Sequence, residues 1–572
     1  MESEIKTCQN CKKDFTIEPE DFNFYEKIKV PPPTFCPECR LIHRMSWRNE
    51  RSLYKTKCLV PGHAEEIISM YDPEKKYNVF DNNYWWSDKC DASEYGIGYN
   101  FSESFFIQFS KLFSRVPLPA LSIVNSVNSE YTNFVDGIKN CYLLFGSGWD
   151  ENIRYGSKLF QSKDSQDLLK CTKCELCYEC TDCIESYHLF FSRDCRDCVD
   201  SSFLYNCRNC SNCFGCVNLV NKTYCIWNKQ YSREEYLIKI HDLKIENHKD
   251  FLTSKGYFIK ELCLPSIRRY ANIFSSTSCT GDNIINSKNS KKCFDIYQEV
   301  EDSKYLYSAL MLKDSYDGIG VFRIDLSYEC VDVNIGSLNF SCLTVYNSDN
   351  SKYLYNCHNV KDCFGCISLR NKRYCILNKQ YTKKEYEELI PKIIKHMNDM
   401  PYIDSKGRIY KYGEFFPSEL SPFCYNETIA QEYFPLTKEE ALKQGYKWKD
   451  KEERNYQIDI KNEDIPDNIK EVDESIIGKV IECEHKGECN EQCTEAFKII
   501  ADELQFYQRM NLPLPHLCPN CRHYQRLKQR NPLKLWHRKC MKEGCENEFE
   551  TSYAPDRPEI IYCERCYQQE VY

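Results

Sequence analysis

From Ser165 to Leu219 a small or apolar residue stands at every third position, and in "DCRDCVDSSFLYNCRNCSNCFGCV" (194–217) it is usually a cysteine behind Asp or Asn. A strand alternates every two residues and an α-helix repeats every 3.6. A period of three fits neither. It fits a solenoid with short sides, each turning one side chain inward. A slower period of twelve lies on top: Cys171, Cys183, Cys195 and Cys207 are twelve apart, as are Ser303, Ser315, Ser327, Asn339, Ser351, Cys363 and Cys375. Twelve residues make one four-sided coil, with 24-residue coils as the alternative. Asp and Asn suit the corners because they tolerate turn geometry and bond along a stack.

The pattern is duplicated. Residues 201–232 and 351–382 are identical at 20 of 32 positions, at a constant offset of 150. Cys210 of the first copy is Val360 in the second, a substitution that suits a core filler better than a metal ligand. The competing reading is a cluster or zinc on Cys207, Cys210, Cys213 and Cys216. Each copy ends in a capping box, Ser232 with Glu235 and Thr382 with Glu385, which opens a helix (233–249 and 383–398) that closes the solenoid end. The expected fold is mainly β: a duplicated parallel β-solenoid flanked by zinc ribbons and a few short helices.

Cysteine chemistry changes at the chain ends. Cys8, Cys11, Cys36 and Cys39 form two pairs 24 residues apart, and Cys489, Cys493, Cys518 and Cys521 repeat that separation. Cys540, Cys545, Cys563 and Cys566 form a third set. Knuckles of this kind supply zinc with four thiolates in a tetrahedron, a closed shell whose ion is structural. About three zinc ions per chain are expected. At an offset of 482, Cys58 and His63 match Cys540 and Cys545, but Asp81 and Tyr84 match Cys563 and Cys566. That second N-terminal unit reads as a ribbon without its metal, with Cys90 as a spare ligand.

"EDFNFYEKIKVPPPTFCPECR" carries Phe24-Tyr25, Pro32-Pro33 and Cys36-Pro37-Glu38-Cys39-Arg40. These marks resemble the small zinc-ribbon domains of bacterial proteins. The C-terminal copy keeps Phe506-Tyr507 and Cys518-Pro519-Asn520-Cys521-Arg522. The whole chain resembles a Cys-rich bacterial family with ribbons at both ends, some of whose sequences carry a CoA-transferase (CaiB/BaiF-like) label. No doubly wound α/β pattern and no position for that family's catalytic aspartate supports the label here.

A basic stretch follows each first ribbon. Residues 518–542 hold eight Lys or Arg and no acid; residues 36–57 hold six basic and two acidic residues. Arg40, Arg44, Arg48, Arg51, Arg522, Arg526, Lys528, Arg530, Lys534 and Arg538, interleaved with aromatic residues, suit contact with phosphates and bases of RNA, ribosome or DNA. The alternative is a solvated helix face.

Catalytic patterns are scarce. No GxGxxG, GxxxxGK, G-x-S-x-G or H-E-x-x-H occurs. His188, His241 and His358 have no evident partners. Glu414, Glu419, Glu427 and Glu432 are the carboxylates a carbohydrate-active enzyme on the solenoid would use. The N-terminus has no apolar leader and no run of 18 apolar residues occurs, so the expectation is a cytoplasmic protein with reduced thiols and no membrane contact. The expected layout is ribbon plus degenerate ribbon (1–63), aromatic connector (64–128), solenoid one (129–262), solenoid two (263–398), an α/loop segment (399–449), an acidic linker (450–482) and tandem ribbons (483–572). The favoured function is a non-catalytic zinc-binding scaffold or adaptor whose ribbons dock to nucleic acid, ribosome or protein, with the solenoid as a rigid spacer or protein-docking face.

Overall fold

The computed structural model describes residues 2–63, 65–451 and 454–571. Its central feature is a ten-stranded, mostly parallel sheet running from Ile273 to Gln380. An earlier stack of parallel pairings runs from Ile123 to Ile226. The chain is mixed α/β, not mainly β as its middle suggests: Phe105–Phe113, His248–Tyr257 and the 17-residue helix Lys383–Asp399 join the ribbon helices. The sequence outside the repeats has no period of three, and there the chain buries its apolar residues on helix faces instead.

Strand partners explain the repeat. Tyr187 lies opposite Val199, Val199 opposite Ser211, and Ser211 opposite Thr223, each step twelve residues. Between the longer strands of the first stack, isolated parallel bridges recur every three residues, as in Glu151 to Lys163, Arg154 to Gln166 and Ser157 to Leu169. Every third residue also adopts the left-handed region: Asn206 has φ 51°, Asn209 48° and Asn212 51°. A left-handed residue turns the chain, so each three-residue side ends in a corner. Left-handed geometry costs an ordinary residue about 1–2 kcal/mol and Asn or Asp less, which is why these two types crowd the corner register. Their side chains offset the remainder by bonding along the stack, Asn128 to Asn140 at 2.8 Å, Asn140 to Asn152 at 3.0 Å and Asn152 to Asp164 at 2.8 Å.

The interior register is filled by small groups that still satisfy carbonyls. Cys171 Sγ lies 3.6 Å from the oxygens of both Leu169 and Cys180, and Cys207 Sγ 3.5 Å from those of Tyr205 and Cys216. Ser165 occupies an equivalent place, its Oγ donating to Lys163 O at 2.7 Å and accepting from Cys177 N at 3.0 Å. Cysteine and serine are thus interchangeable plugs, differing in how strongly they donate. The second stack departs from twelve at two places: Ile273 faces Ile284, eleven on, at its first pairing, and a second slip follows. Gly281 faces Cys293, twelve on, but Phe294 faces Tyr307, thirteen on, because residues 298 and 299 are both left-handed and one is extra.

These thiols are fully buried, and burial pushes the Cys141 and Cys293 thiols up to about 12. Cys263 and Cys279 are partly exposed; Cys279, whose Sγ donates to Thr277 O at 3.3 Å, stands at the open start of the second stack's interior column. Alkylation of the metal-loaded protein at neutral pH should therefore label Cys263 and Cys279 and leave Cys171 through Cys216 untouched until unfolding. Peptide mass mapping reads this directly; labelling of the interior column at a similar rate would contradict the packing.

Candidate metal centres

Three groups of four cysteines converge, near both ends of the chain. In the first, Cys8, Cys11, Cys36 and Cys39 bring their sulfurs within 4.8 Å of one another. Cys8 follows the hairpin strand Glu4–Thr7, and Cys36 caps the helix Pro37–Met45, which carries Cys39. Cys36 N donates to Cys8 Sγ at 3.2 Å and Asn10 Nδ2 to Cys39 Sγ at 3.4 Å. The third group, Cys540, Cys545, Cys563 and Cys566, repeats this with Cys563 N to Cys540 Sγ at 3.3 Å. Tetrahedral Zn–S bonds of about 2.3 Å place sulfurs about 3.8 Å apart. The separations of 3.7 Å for Cys11–Cys36 and 3.9 Å for Cys545–Cys563 fit that shell.

The second group corrects one ligand. Cys493, Cys518 and Cys521 converge as expected, but the fourth sulfur is Cys483, not Cys489. Cys483 takes the place of Cys8: it follows the hairpin strand Ile481–Glu482, and Cys518 N donates to its Sγ at 3.2 Å. The loop from Cys483 to Cys493 is seven residues longer than that from Cys8 to Cys11, and Cys489 lies in the excess. The strand-then-cysteine pattern of "KVIEC", parallel to "EIKTC", is the signal that marks Cys483.

The degenerate N-terminal unit keeps the ribbon hairpin, Tyr54–Lys57 against Glu66–Ser69, which matches Trp536–Lys539 against Glu548–Thr551. Apolar packing replaces its metal. Cys58 and Cys90 sit in a cluster with Val60, Phe80 and Trp85, Asp81 caps the helix Asn82–Trp86, and His63 faces Glu65.

The basic strips become internal ion pairs. Arg40 Nη2 lies 2.8 Å from Asp317, and Arg44 pairs with both Asp317 and Glu329. Arg48 pairs with Glu50 and, at 3.6 Å, with Asp332. At the other end Arg522 lies 3.4 Å from Asp167, Arg526 3.0 Å from Asp167 and 2.9 Å from Glu179, and Arg530 2.8 Å from Asp182. Both sets obey the internal repeats: the arginines differ by 482 positions and the carboxylates by 150. The aromatic marks follow the same rule. Phe24 stacks on Tyr316 at 3.8 Å, Tyr25 meets Tyr328 edge-on, and Tyr507 meets Tyr178, the counterpart of Tyr328. Each first ribbon therefore docks on the stack farther from it in sequence. Each second unit touches the other stack or the strand just ahead of it: Asn133 Nδ2 of stack one lies 3.7 Å from Met70 Sδ, and Ile560–Tyr562 pairs with Ile267–Arg269 just ahead of stack two.

Arg40, Arg44, Arg48, Arg522 and Arg526 are buried, and Arg530 is 5% exposed. A guanidinium held this way cannot also meet a phosphate, so these six positions form no nucleic-acid strip. Arg51 lies over the Phe145 ring, its centroid 4.6 Å away, and bonds Asn520. Lys528 pairs with Glu491 and Lys534 with Glu38, while Arg538 donates to Ala554 O. Burial pushes Glu329 up to about 7, with Arg44 drawing it back down.

The four carboxylates of the enzyme reading are likewise engaged. Glu414 accepts from Thr34 N at 2.9 Å, Glu419 from Tyr402, Glu427 from Tyr54, and Glu432 faces His523 at 3.3 Å. Glu414, Glu427 and Glu432 tie the 399–449 segment to the ribbons, while Glu419 bonds within that segment. His358 is buried between Tyr346 and Trp86, and burial pushes it down to about 3. His188 bonds Asp200, and His241 is exposed. Between the two stacks runs a cleft of about 370 Å³ whose walls include Phe134, Trp149, Phe160, Phe322 and Tyr346. Among the described residues no helix is long and apolar enough to cross a membrane.

No family model matches the chain, and no curated protein matches it. Among solved structures, the chain matches a candidate acetyltransferase from Desulfovibrio desulfuricans G20 at 11% identity, covering 51% of this chain and 86% of that one with a TM-score of 0.09. A likeness that slight carries no argument about fold or activity.

Proposed function

We propose that the protein is a non-catalytic zinc-binding scaffold. Two β-solenoids of twelve-residue coils (129–262 and 263–398) lie side by side, and the ribbons at both ends (1–63 and 483–572) lock them together. The twelve-residue register, the left-handed corner at every third position and the column of thiol and hydroxyl plugs support the solenoid reading. Closed shells of four thiolates leave zinc no open position for chemistry. The observation that carries the reading is the burial of both arginine ladders: the ribbons spend their positive charge on the solenoids. Docking then falls to the cleft, where Trp149 is 46% exposed beside Phe160 and Phe322. An exposed tryptophan flanked by aromatic rings is the residue type that anchors a protein partner.

The test is capture of partners from native lysate by the zinc-loaded protein, with and without nuclease, beside a Trp149→Ala/Phe322→Ala variant. A protein partner recovered in both conditions and lost with the variant is expected. Recovery abolished by nuclease, together with direct binding of purified RNA or DNA, overturns the reading in favour of a nucleic-acid protein.

A further inference from the structure

The long loop of the second ribbon builds something the first ribbon lacks. His485, Cys489, Glu491 and Cys521 form a group whose ligand atoms all lie within 4.8 Å of one another, and it shares Cys521 with the closed quartet. Left-handed Lys486 and Gly487 turn the loop, with Lys486 N bonded to Cys483 O and Glu488 N to His485 O, so that Cys489 comes back against Cys521. Cys489 Sγ lies 3.7 Å from Cys521 Sγ, and His485 Nδ1 lies 3.2 Å from Glu491 Oε2.

Two further observations point to an ion there. Glu491 is 6% exposed, yet its Oε2 and the buried His485 Nδ1 have no hydrogen-bond partner among the described residues, although they face each other. A proton on Nδ1 would make no hydrogen bond to Oε2 at this alignment, and without that proton the nitrogen lone pair and the carboxylate oxygen repel unless a cation lies between them. Zinc bonds of about 2.0 Å to nitrogen and oxygen set a tetrahedral N–O separation of about 3.3 Å, and bonds of about 2.3 Å set a sulfur pair about 3.8 Å apart. Both observed separations match. The other oxygen of Glu491 is held by Lys528, which leaves Oε2 free to point inward; second-shell contacts of this kind orient metal-bound carboxylates.

We infer that the C-terminal ribbon holds a second zinc ion on His485, Cys489 and Glu491, bridged to the first through the Cys521 thiolate. The site would make this end of the chain a two-metal unit and the N-terminal ribbon a one-metal unit. Nothing in it depends on the scaffold reading.

The test equilibrates full-length protein with excess zinc, desalts it and measures bound metal, comparing wild type with His485→Ala/Glu491→Gln. Four ions per chain falling to three are expected, with unchanged far-ultraviolet circular dichroism. Cadmium-113 NMR of cadmium-exchanged protein gives an independent reading: three resonances of all-sulfur sites and a fourth, at higher field, from a mixed nitrogen, oxygen and sulfur site that disappears in the variant. Three ions in both proteins, or only all-sulfur resonances, overturn the inference.

Discussion

Cys39→Ser should remove one zinc ion and release the first ribbon from the second stack. Structural zinc in small ribbons contributes on the order of 10–16 kcal/mol at pH 7, more than a segment of this size recovers from its own core. The loss reaches beyond the ribbon because Cys36, Cys39, Arg40 and Arg44 lie in one short helical segment. Without the ion that helix loses its anchor, and Asp317 and Glu329, both fully buried, lose their guanidinium partners. Limited proteolysis at native pH with mass mapping should show new cuts in 2–50 and around the 317–332 coils, while the first stack stays protected. An unchanged cleavage pattern alongside confirmed metal loss would mean that the ribbon holds itself together without zinc.

The second large effect belongs to the other ladder. Arg526→Met leaves Asp167, fully buried, with only Arg522 at 3.4 Å, and strips Glu179 of its close partner. Breaking one side of a buried pair costs about 3–5 kcal/mol. Replacing all members together, Arg526→Met with Asp167→Asn and Glu179→Gln, should restore much of the loss, since the penalty comes from stranded charge and not from the volume of the site. Lys395→Ala provides the contrast. Its pair with Asp399 is exposed, and its removal should cost under about 1 kcal/mol. Urea midpoints of the four proteins decide the matter; equal losses for Arg526→Met and Lys395→Ala would remove the ladder from the stability of the fold.

Why the strips read as nucleic-acid surface is instructive. Sequence shows that Arg40, Arg44 and Arg48 recur every fourth residue and are basic, although the helix that carries the first two ends at Met45. It does not show what they face. The acids that meet them, Asp317, Glu329 and Asp332, sit in the same corner register as dozens of other Asx and Glu residues, so nothing marks them out locally. Two offsets, 482 for the ribbons and 150 for the stacks, were both visible; only their combination in space reveals that the same four ion pairs are made twice. The parallel twelve-residue register was legible because most of its steps obey one spatial rule, that a side chain pointing inward must be small or aliphatic. The single extra residue near Gln298 was not, since one insertion inside a repeat resembles ordinary sequence drift. Cys483 was hidden for a related reason: a knuckle with nine residues between its two cysteines does not look like one with two, although the strand before it is the same.

The crossed docking has a temporal side. Arg40 is synthesised 277 residues before Asp317, and at roughly 5–20 residues per second that separation corresponds to between about 14 and 55 seconds on the ribosome. Throughout that interval the first ribbon can bind its ion and fold, but Arg40 and Arg44 have no Asp317 or Glu329 to meet. The nascent polypeptide thus presents, briefly and next to ribosomal RNA, the basic surface that the finished protein conceals.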